Sequence, residues 1–450
     1  MSPVGHQSSE ATGTRWLGEV PSHWQVTRLK NAADYRVSNV DKVPAEGEEP
    51  VRLCNYTDVY YREHLHPDLD LMQTTATAAE IRRFHLQVGD VVITKDSEEW
   101  SDIAVPALVT GSAPDLVCGY HLAIVRPRPN RLSGPFLLRV FQAAGVNTQL
   151  QVSASGITRY SLPKDAIGEA VIPLPPLEEQ RAIADFLDRE TADIDSLVGK
   201  QNRLVDSLID KRQAAICQLV TRGLNPTATL VPSGVEWLGE VPKLWEIYRI
   251  GSLFREASDV GEDGLPILTV SIHDGVSDRQ LDDEERERKV IRIEDTSKYK
   301  KVIPSDLVYN MMRAWQGGFG AVLVAGLVSP AYVVARPRRP LVTKFIELLL
   351  RTPAAIEEMR CHSYGVADFR LRLYWDHFKT LRVALPPLAE QHEIVEAAQR
   401  ETESIDALVK VIEVQNAKLG EYRSALISAA VTGQIDVRNY RPQEAAALCQ

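Results

Sequence analysis

Apolar residues recur at spacings of three and four across residues 174–224: Ile183, Leu187, Ile194, Leu197, Val198, Leu204, Val205, Leu208, Ile216 and Leu219. An apolar stripe on a polar background predicts a long amphipathic helix. Pro175-Pro176 opens it, Glu178 and Glu179 sit in its first turn, and Arg222-Gly223 supplies a stop. A bend or break near Asp188–Thr191 would fit the pattern, and Gly199 weakens the middle. A second such segment runs from Pro386-Pro387 to Thr432-Gly433, with Ile394, Ile405, Leu408, Val409, Ile412, Leu419, Leu426 and Ile427 on the matching face. A helix of about 30–45 residues spans roughly 45–68 Å. Its apolar stripe must be covered, and the best partner in the chain is the other copy, paired antiparallel. A helical hairpin or a dimerisation coil with no measuring role fits the same pattern.

The remaining sequence is mixed. Asp90-Val91-Val92-Ile93-Thr94 and Leu122-Ala123-Ile124-Val125 read as short strands among turns that carry Pro and Gly. Residues 225–384 repeat that texture with Asp306-Leu307-Val308-Tyr309 and Tyr332-Val333-Val334-Ala335. Both second runs end on Arg-Pro, at Arg126-Pro127 and Arg336-Pro337, where proline stops strand pairing.

These patterns are doubled because the chain is doubled. Trp16-Leu17-Gly18-Glu19-Val20-Pro21 returns as Trp237-Leu238-Gly239-Glu240-Val241-Pro242. Leu174-Pro175-Pro176-Leu177-Glu178-Glu179-Gln180 returns as Leu385-Pro386-Pro387-Leu388-Ala389-Glu390-Gln391. Arg189-Glu190-Thr191 with Ile194-Asp195 becomes Arg400-Glu401-Thr402 with Ile405-Asp406. Aligned at an offset of 211, the two helical segments share 20 of 51 residues, which means common descent. The repeat is the size of a domain, so the chain divides into a module at 1–173, a helical region at 174–224, a second module at 225–384, and a second helical region with a tail at 385–450. The expected fold class is α+β: two globular mixed α/β domains held apart by two long antiparallel coiled-coil regions, with pseudo-two-fold symmetry. The helices are copied and the module interiors diverge, which suggests two different targets.

Composition changes this picture little. With 450 residues, 44% hydrophobic and 25% charged, the chain is an ordinary globular protein of two to four domains. Its first residues show no basic start followed by an apolar run, and Ala321–Ala335, the longest apolar candidate, is broken by Gly326 and Pro330. The five cysteines (Cys54, Cys118, Cys217, Cys361, Cys449) are scattered and never spaced C-x-x-C. A cytoplasmic protein with reduced thiols is the expectation. The net charge of −10 argues at first against nucleic acid. Residues 1–173 carry 16 basic and 20 acidic side chains, and residues 225–384 carry 22 of each. No segment is a basic domain, so DNA binding would rest on local loops or on a basic partner. A protein that never meets DNA also fits the charge.

The doubled L-P-P-L-x-E-Q segment, the E-T-x-x-I-D-x-L-V helix after it and the doubled W-L-G-E-V-P opening resemble the specificity subunit of type I restriction–modification enzymes. The resemblance covers the whole chain. It implies two target-recognition domains, each reading one half of a bipartite DNA sequence, across a spacer set by the helices. It also implies a scaffold without a catalytic centre, binding double-stranded DNA, two modification subunits that methylate adenine and, where present, two motor–nuclease subunits. S-adenosylmethionine, ATP and Mg would then belong to those partners, and none to this chain.

The residues agree with an absence of catalysis. There is no Gly-rich cofactor turn, no G-x-x-x-x-G-K-[ST] loop and no N/D-P-P-Y/F motif. Glu287-Arg288-Lys289 near Asp282 and Asp283 mimics half of a nuclease signature but lies in a solvated charge run. His64 and His66 lack further metal ligands. Base reading needs long polar side chains on loops. In the first module the loop Thr94–Trp100 offers Lys95, Ser97 and Glu98, with Trp100 as wall or core; a plain turn cap at Lys95-Asp96 is the competing account. In the second module, Asn310–Gly318 offers Arg313 and Gln316, and Gly317-Gly318 lets backbone come close, while Trp315 suits core or contact. Just before each helical region, Ser155-Gly156-Ile157-Thr158-Arg159-Tyr160 matches Tyr364-Gly365-Val366-Ala367-Asp368-Phe369-Arg370-Leu371-Arg372 in pattern. Arg159, Tyr160, Arg370 and Arg372 are phosphate or base candidates there, against structural packing of Tyr160 and Phe369. Lys298, Lys300 and Lys301 form the densest basic cluster and suit phosphate contact, or a solvated face.

Overall fold

The computed structural model describes residues 8–272, 275–277, 298–365 and 371–438. Its contacts divide the chain into two units, Met1–Gln201 with Glu413–Gln450, and Asn202–Ile412. Each globular module is thus grouped with the near end of one long helix and the far end of the other.

The two helical regions are single helices, Leu177–Arg222 and Leu388–Val431. The first runs unbroken through Asp188–Thr191, where Thr191 Oγ1 donates to the Leu187 carbonyl (2.7 Å) instead of bending the helix. Gly223 and Gly433 follow the helix ends with φ of +74° and +73°, the left-handed geometry that glycine adopts without strain. Within the first unit, Asp195 faces Arg423 and Gln201 faces Gln415. Within the second, Arg212 faces Asp406, and Gly223 abuts Glu390. In each unit one helix ascends as the other descends, so the local pairing is antiparallel.

Ile183, Phe186, Leu187 and Ile194 share the first unit's core with Leu426, Ile427, Ala430 and Val431. Val220 and Ile394 belong to the second unit's core. The apolar stripe is narrower than expected. Leu197, Leu204 and Leu408, placed on the buried face by periodicity, are 44%, 50% and 51% exposed. A pair of helices covers one seam only, and residues flanking it stay in water.

The first unit carries a five-stranded sheet in the order Ala33–Val37, Leu122–Pro127, Val91–Thr94, Pro106–Val109, His64–Leu65. Its pairings are antiparallel except the last. Val91, Ile93, Ala123 and Val125 point into one cluster, and Val92, Leu122 and Ile124 into another. Both faces are covered, which is why these strands read as continuous apolar runs and not as alternating ones. A three-stranded sheet, Leu116–Cys118, Glu49–Cys54 and Met72–Ala76, packs beside it. The second unit repeats the first four positions as Phe254–Ala257, Tyr332–Pro337, Leu307–Asn310 and Phe319–Ala321, all antiparallel. Arg126 forks onto Asp90 (2.7 and 2.7 Å), and Arg336 onto Asp306 (2.9 and 2.9 Å). The Arg-Pro ends of the two strands therefore tie neighbouring strands together through bidentate pairs.

The repeated letters have repeated jobs. Gln180 is buried; its Oε1 accepts from Ser133 N (2.9 Å) and its Nε2 donates to the Arg131 and Pro175 carbonyls (2.8 Å each). Gln391 accepts from Val342 N (2.8 Å) and donates to the Pro386 carbonyl (2.8 Å). Glu179 accepts the Trp24 indole N–H (2.9 Å), and Glu390 that of Trp245 (3.2 Å). The E-Q pair of each motif thus seats the start of a long helix on its module.

Candidate nucleic-acid interface

In the first unit, two separately suspected segments are one feature. Asp96–Ser97 pairs antiparallel with Tyr160–Ser161, Tyr160 opposite Ser97 and Ser161 opposite Asp96. A carboxylate network binds this ledge. Lys95 Nζ donates to Asp96 Oδ1 (2.6 Å) and Ser161 Oγ (2.9 Å), and His121 Nδ1 lies 2.7 Å from Asp96 Oδ2. Burial would raise the Asp96 pKa, but the hydrogen bonds from Lys95, Ser161 and His121 outweigh it and hold the carboxyl below its usual range. His121 itself sits at φ +70°, an uncommon region for a residue with a side chain, and its carbonyl accepts from the Lys95 and Asp96 amides (2.8 and 3.4 Å).

The candidates therefore differ in what they have to offer a ligand. Glu98 and Arg159 are exposed, Tyr160 is half-buried, and Lys95 is half-buried and engaged in the network. Ser97 is buried with its hydroxyl 3.1 Å from that of Tyr56. Trp100 is exposed and not part of the core. Sequence reasoning missed the neighbouring tyrosines. Tyr56 stacks on Tyr60 (centroids 5.5 Å apart), and Tyr60 meets Tyr61 edge-on (4.9 Å). Tyr60 and Tyr61 line a cleft of ≈ 570 Å³ together with Glu63, Asn147, Gln151 and Arg423. The Tyr-rich run Tyr56-Thr57-Asp58-Val59-Tyr60-Tyr61 was the available signal.

The second unit also brings its two candidate segments together, here through a single backbone hydrogen bond. Asn310–Gly318 follows a central strand and folds into a turn in which the Gln316 and Gly318 amides both donate to the Arg313 carbonyl (2.9 Å each). Leu373 N donates to the Met311 carbonyl (2.9 Å), which brings the segment before the second helix against this loop. Gln316 and Arg372 are exposed, and Arg313 and Trp315 are half-buried. Arg370 lies outside the described residues, as do Asp282, Asp283 and Glu287-Arg288-Lys289. Among the three lysines, Lys298 is exposed, Lys300 Nζ donates to the Tyr332 carbonyl (2.7 Å), and Lys301 pairs with Glu262. Burial pulls the Lys300 pKa down. Arg351, which sequence reasoning did not single out, donates to the carbonyls of Gly317 (3.3 Å), Ser271 (3.2 Å) and Ile272 (3.1 Å), bracing the loop from below.

Among the described residues, no group of three or more His, Cys, Asp or Glu side chains is placed to hold a metal ion. No described helix is long and apolar enough to cross a membrane.

Comparison with known proteins places these features. Residues 79–205 match the family described as the type I restriction modification DNA specificity domain. The putative type I restriction enzyme MjaX specificity subunit of Methanocaldococcus jannaschii is 22% identical over 435 residues, covering 94% of this chain and 96% of that protein. The type I restriction enzyme EcoBI specificity subunit of Escherichia coli is 24% identical over 310 residues, 65% of this chain and 64% of its own length. Among solved structures, a chain from work on complex assembly and conformational transition of the type I R-M system matches with a TM-score of 0.67 at 16% identity, covering 92% of this chain and 99% of that one. The HsdS subunit from Thermoanaerobacter tengcongensis matches with a TM-score of 0.51 at 17% identity, over 92% and 98%. At these identities the structural matches establish a shared fold.

Proposed function

We propose that the chain is a specificity subunit of a type I restriction–modification system, as its similarity to such proteins suggests, and that it reads a bipartite DNA target with one half-site per recognition module. It acts in the cytoplasm as a scaffold without a catalytic centre of its own. Two modification subunits bring S-adenosylmethionine and methylate adenine. Where the host makes them, two restriction subunits bring ATP and Mg. The two helices set the spacer between the half-sites.

One observation carries this reading. Each unit brings together the same two places in the chain, the loop after a central strand and the segment before a long helix, through the pairing of Asp96–Ser97 with Tyr160–Ser161 in one and the Leu373–Met311 hydrogen bond in the other. The two junctions involve corresponding stretches of the chain and differ in sequence, as two readers of different sequences should. A coiled-coil adaptor that never met DNA would have no use for that combination. The acidic balance adds that the isolated chain should bind DNA weakly and with strong salt dependence, because few phosphates are neutralised by it alone.

The test is gel-shift selection from random duplex DNA with the complex of this chain and its modification subunits. A bipartite consensus is the expected result. Equal binding to all sequences by the complete complex would overturn the reading.

A further inference from the structure

We propose that Glu347 and Arg351 are positioning residues for recognition of the second half-site: together they fix the peptide that follows Gln316, and so hold Gln316 against the base pair it selects. The proposal rests on the DNA-reading function above.

Both residues belong to one helix, Thr343–Leu350, with Arg351 as its C-cap. Glu347 is 1% exposed, and both of its carboxylate oxygens are engaged. Oε2 accepts from the Ala321 amide (2.8 Å), while Oε1 accepts from Lys344 Nζ (2.7 Å) and lies 3.6 Å from Arg351 Nη1. Arg351 donates in turn to the Gly317, Ser271 and Ile272 carbonyls. These contacts grip the downstream end of the loop Asn310–Gly318. Ala321 ends the strand Phe319–Ala321 that leads away from the loop, and Gly317 directly follows Gln316. Gly317 stands at φ +88°, a turn that glycine makes without strain. The backbone around Gln316 is therefore held from two sides: the Gln316 and Gly318 amides by the Arg313 carbonyl, and the Gly317 carbonyl by Arg351. Gln316 itself is exposed. An amide side chain reads a base edge only from a narrow range of positions, so its backbone must be held by the groups behind it.

The first module shows that the fold itself does not need this pair. Gln180 and Gln391 accept from corresponding amides, those of Ser133 and Val342, which sets the helices Gly134–Gln142 and Thr343–Leu350 in register at an offset of 209. At that offset Glu347 corresponds to Leu138, also 1% exposed, and Arg351 to Gln142. One module thus buries an apolar side chain where the other buries a carboxylate, a group that costs free energy to enclose unless it is paired. The carboxylate has two tasks. One concerns the sheet edge: in the first module the Leu108 amide donates to the Glu63 carbonyl (2.9 Å), and in the second the corresponding Ala321 amide donates to Glu347. The other is the link to Arg351, and that one bears on the loop. The first module secures its loop differently, by pairing Asp96–Ser97 with Tyr160–Ser161. In the second, the loop has one backbone hydrogen bond to the segment before the long helix among the described residues, and the guanidinium supplies the rest of the grip.

The test is selection from random duplex DNA by the complex of the full chain with its modification subunits, scored base pair by base pair. Gln316→Ala identifies the pair that Gln316 reads, as the position where preference falls by about tenfold. Arg351→Met keeps the unbranched stem and donates nothing. It should flatten preference at that same pair by a similar factor, leave the first half-site unchanged, and add nothing further in the Gln316→Ala background. Arg351→Lys, with one ammonium in place of the planar fork, should fall between Arg351→Met and the wild type. Glu347→Gln retains an acceptor for the Ala321 amide but loses the charge beside Arg351, and should flatten the same pair by a smaller factor. A purely structural role would lower binding to all sequences alike with every preference kept, and that result overturns the proposal. So does a loss in the double variant that equals the two single losses combined. If Arg351→Met fails to assemble, Arg351→Lys and Glu347→Gln decide by the same criteria. If the wild-type complex shows no sequence preference, the recognition function itself falls; if preference is present and Gln316→Ala leaves it untouched, only the positioning proposal falls.

Discussion

Arg423 Nε lies 3.0 Å from Asp195 Oδ1, and the residues at an offset of 211, Arg212 and Asp406, pair in the same way in the other unit. The duplication has thus kept a specific interhelical ion pair in each unit. The two pairs differ in their surroundings. Arg423 also reaches Glu63 (3.3 Å), which in turn accepts from Arg139 (2.6 Å), a guanidinium 1% exposed. Exposed pairs contribute little, about 0–1 kcal/mol. Arg212→Ala should therefore change stability by no more than about 0.5 kcal/mol. Arg423→Ala should cost more, about 1–2 kcal/mol, because it removes a partner from a partly buried carboxylate. Urea unfolding of the two variants checks the order, and equal effects would show that Glu63 does not depend on Arg423.

Acid should find the same place. Burial acts to raise the Glu63 pKa, but Arg139, Gln142 and Arg423 outweigh it and leave the carboxyl below its ordinary value. A carboxyl with a depressed folded pKa stabilises the fold fully above its unfolded value, about 4.3, and loses that contribution as pH falls through the folded value. Wild-type stability should accordingly fall on acidification below about pH 4–5 with a component that Glu63→Gln lacks. Thermal melting of both proteins across that range measures it, and parallel curves would remove Glu63 from the account.

The Gln of each repeated motif should matter more than its Glu. Gln180 is wholly enclosed and satisfies three backbone groups around the start of the first long helix. Gln180→Leu keeps the volume but strands the Ser133 amide and two carbonyls, at a cost of about 2–4 kcal/mol. Glu179→Gln retains an acceptor for the Trp24 indole and should cost under about 1 kcal/mol. Denaturant unfolding distinguishes the two, and a mild Gln180→Leu would mean that water replaces the amide.

How far the fold could be read in advance follows from where its contacts lie along the chain. The helices, their proline starts and glycine stops, and the strands around Val91–Thr94 and Leu307–Asn310 were legible because their signals are local. The pairing of Asp96–Ser97 with Tyr160–Ser161 was not, because nothing in either segment names the other. Both segments carry polar side chains suited to a ligand, yet their union, with Lys95 turned onto Asp96 and Ser161, only appears once the sheet is built. Periodicity also over-assigned Leu197, Leu204 and Leu408 to the buried face, since spacing gives the stripe but not the width of the seam that covers it. Arg351 escaped notice for a related reason: its partners are backbone carbonyls, which leave no trace in side-chain patterns.

Separate reading heads predict separable damage. Gln316 is exposed on the second unit's loop, and Arg313 shapes that loop through its carbonyl. Replacing Gln316 by Ala should relax or abolish recognition at one half-site, at about 1–3 kcal/mol per lost base contact. Arg159→Ala in the first unit should weaken binding broadly if it touches phosphate, or relax only the other half-site if it touches a base. Methylation mapping in cells expressing each variant reads both outcomes, and equal damage to both half-sites by Gln316→Ala would rule out one head per half.

The spacer should follow the helices. Gln201 and Gln415 face each other at 3.2 Å, so inserting one turn, about four residues, beside each lengthens both helices at the same level and preserves their pairing. One turn adds roughly 5.4 Å, which at 3.4 Å per base pair corresponds to about one to two base pairs of DNA. The inserted protein should assemble with its modification subunits and methylate a target with the same two half-sites and a spacer longer by that amount. An insertion beside Gln201 alone should instead break the pairing and lose methylation without shifting the spacer. If the doubly extended protein assembles normally and still selects the original spacer, the helices do not measure the distance between half-sites, and some feature of the modules themselves must set it.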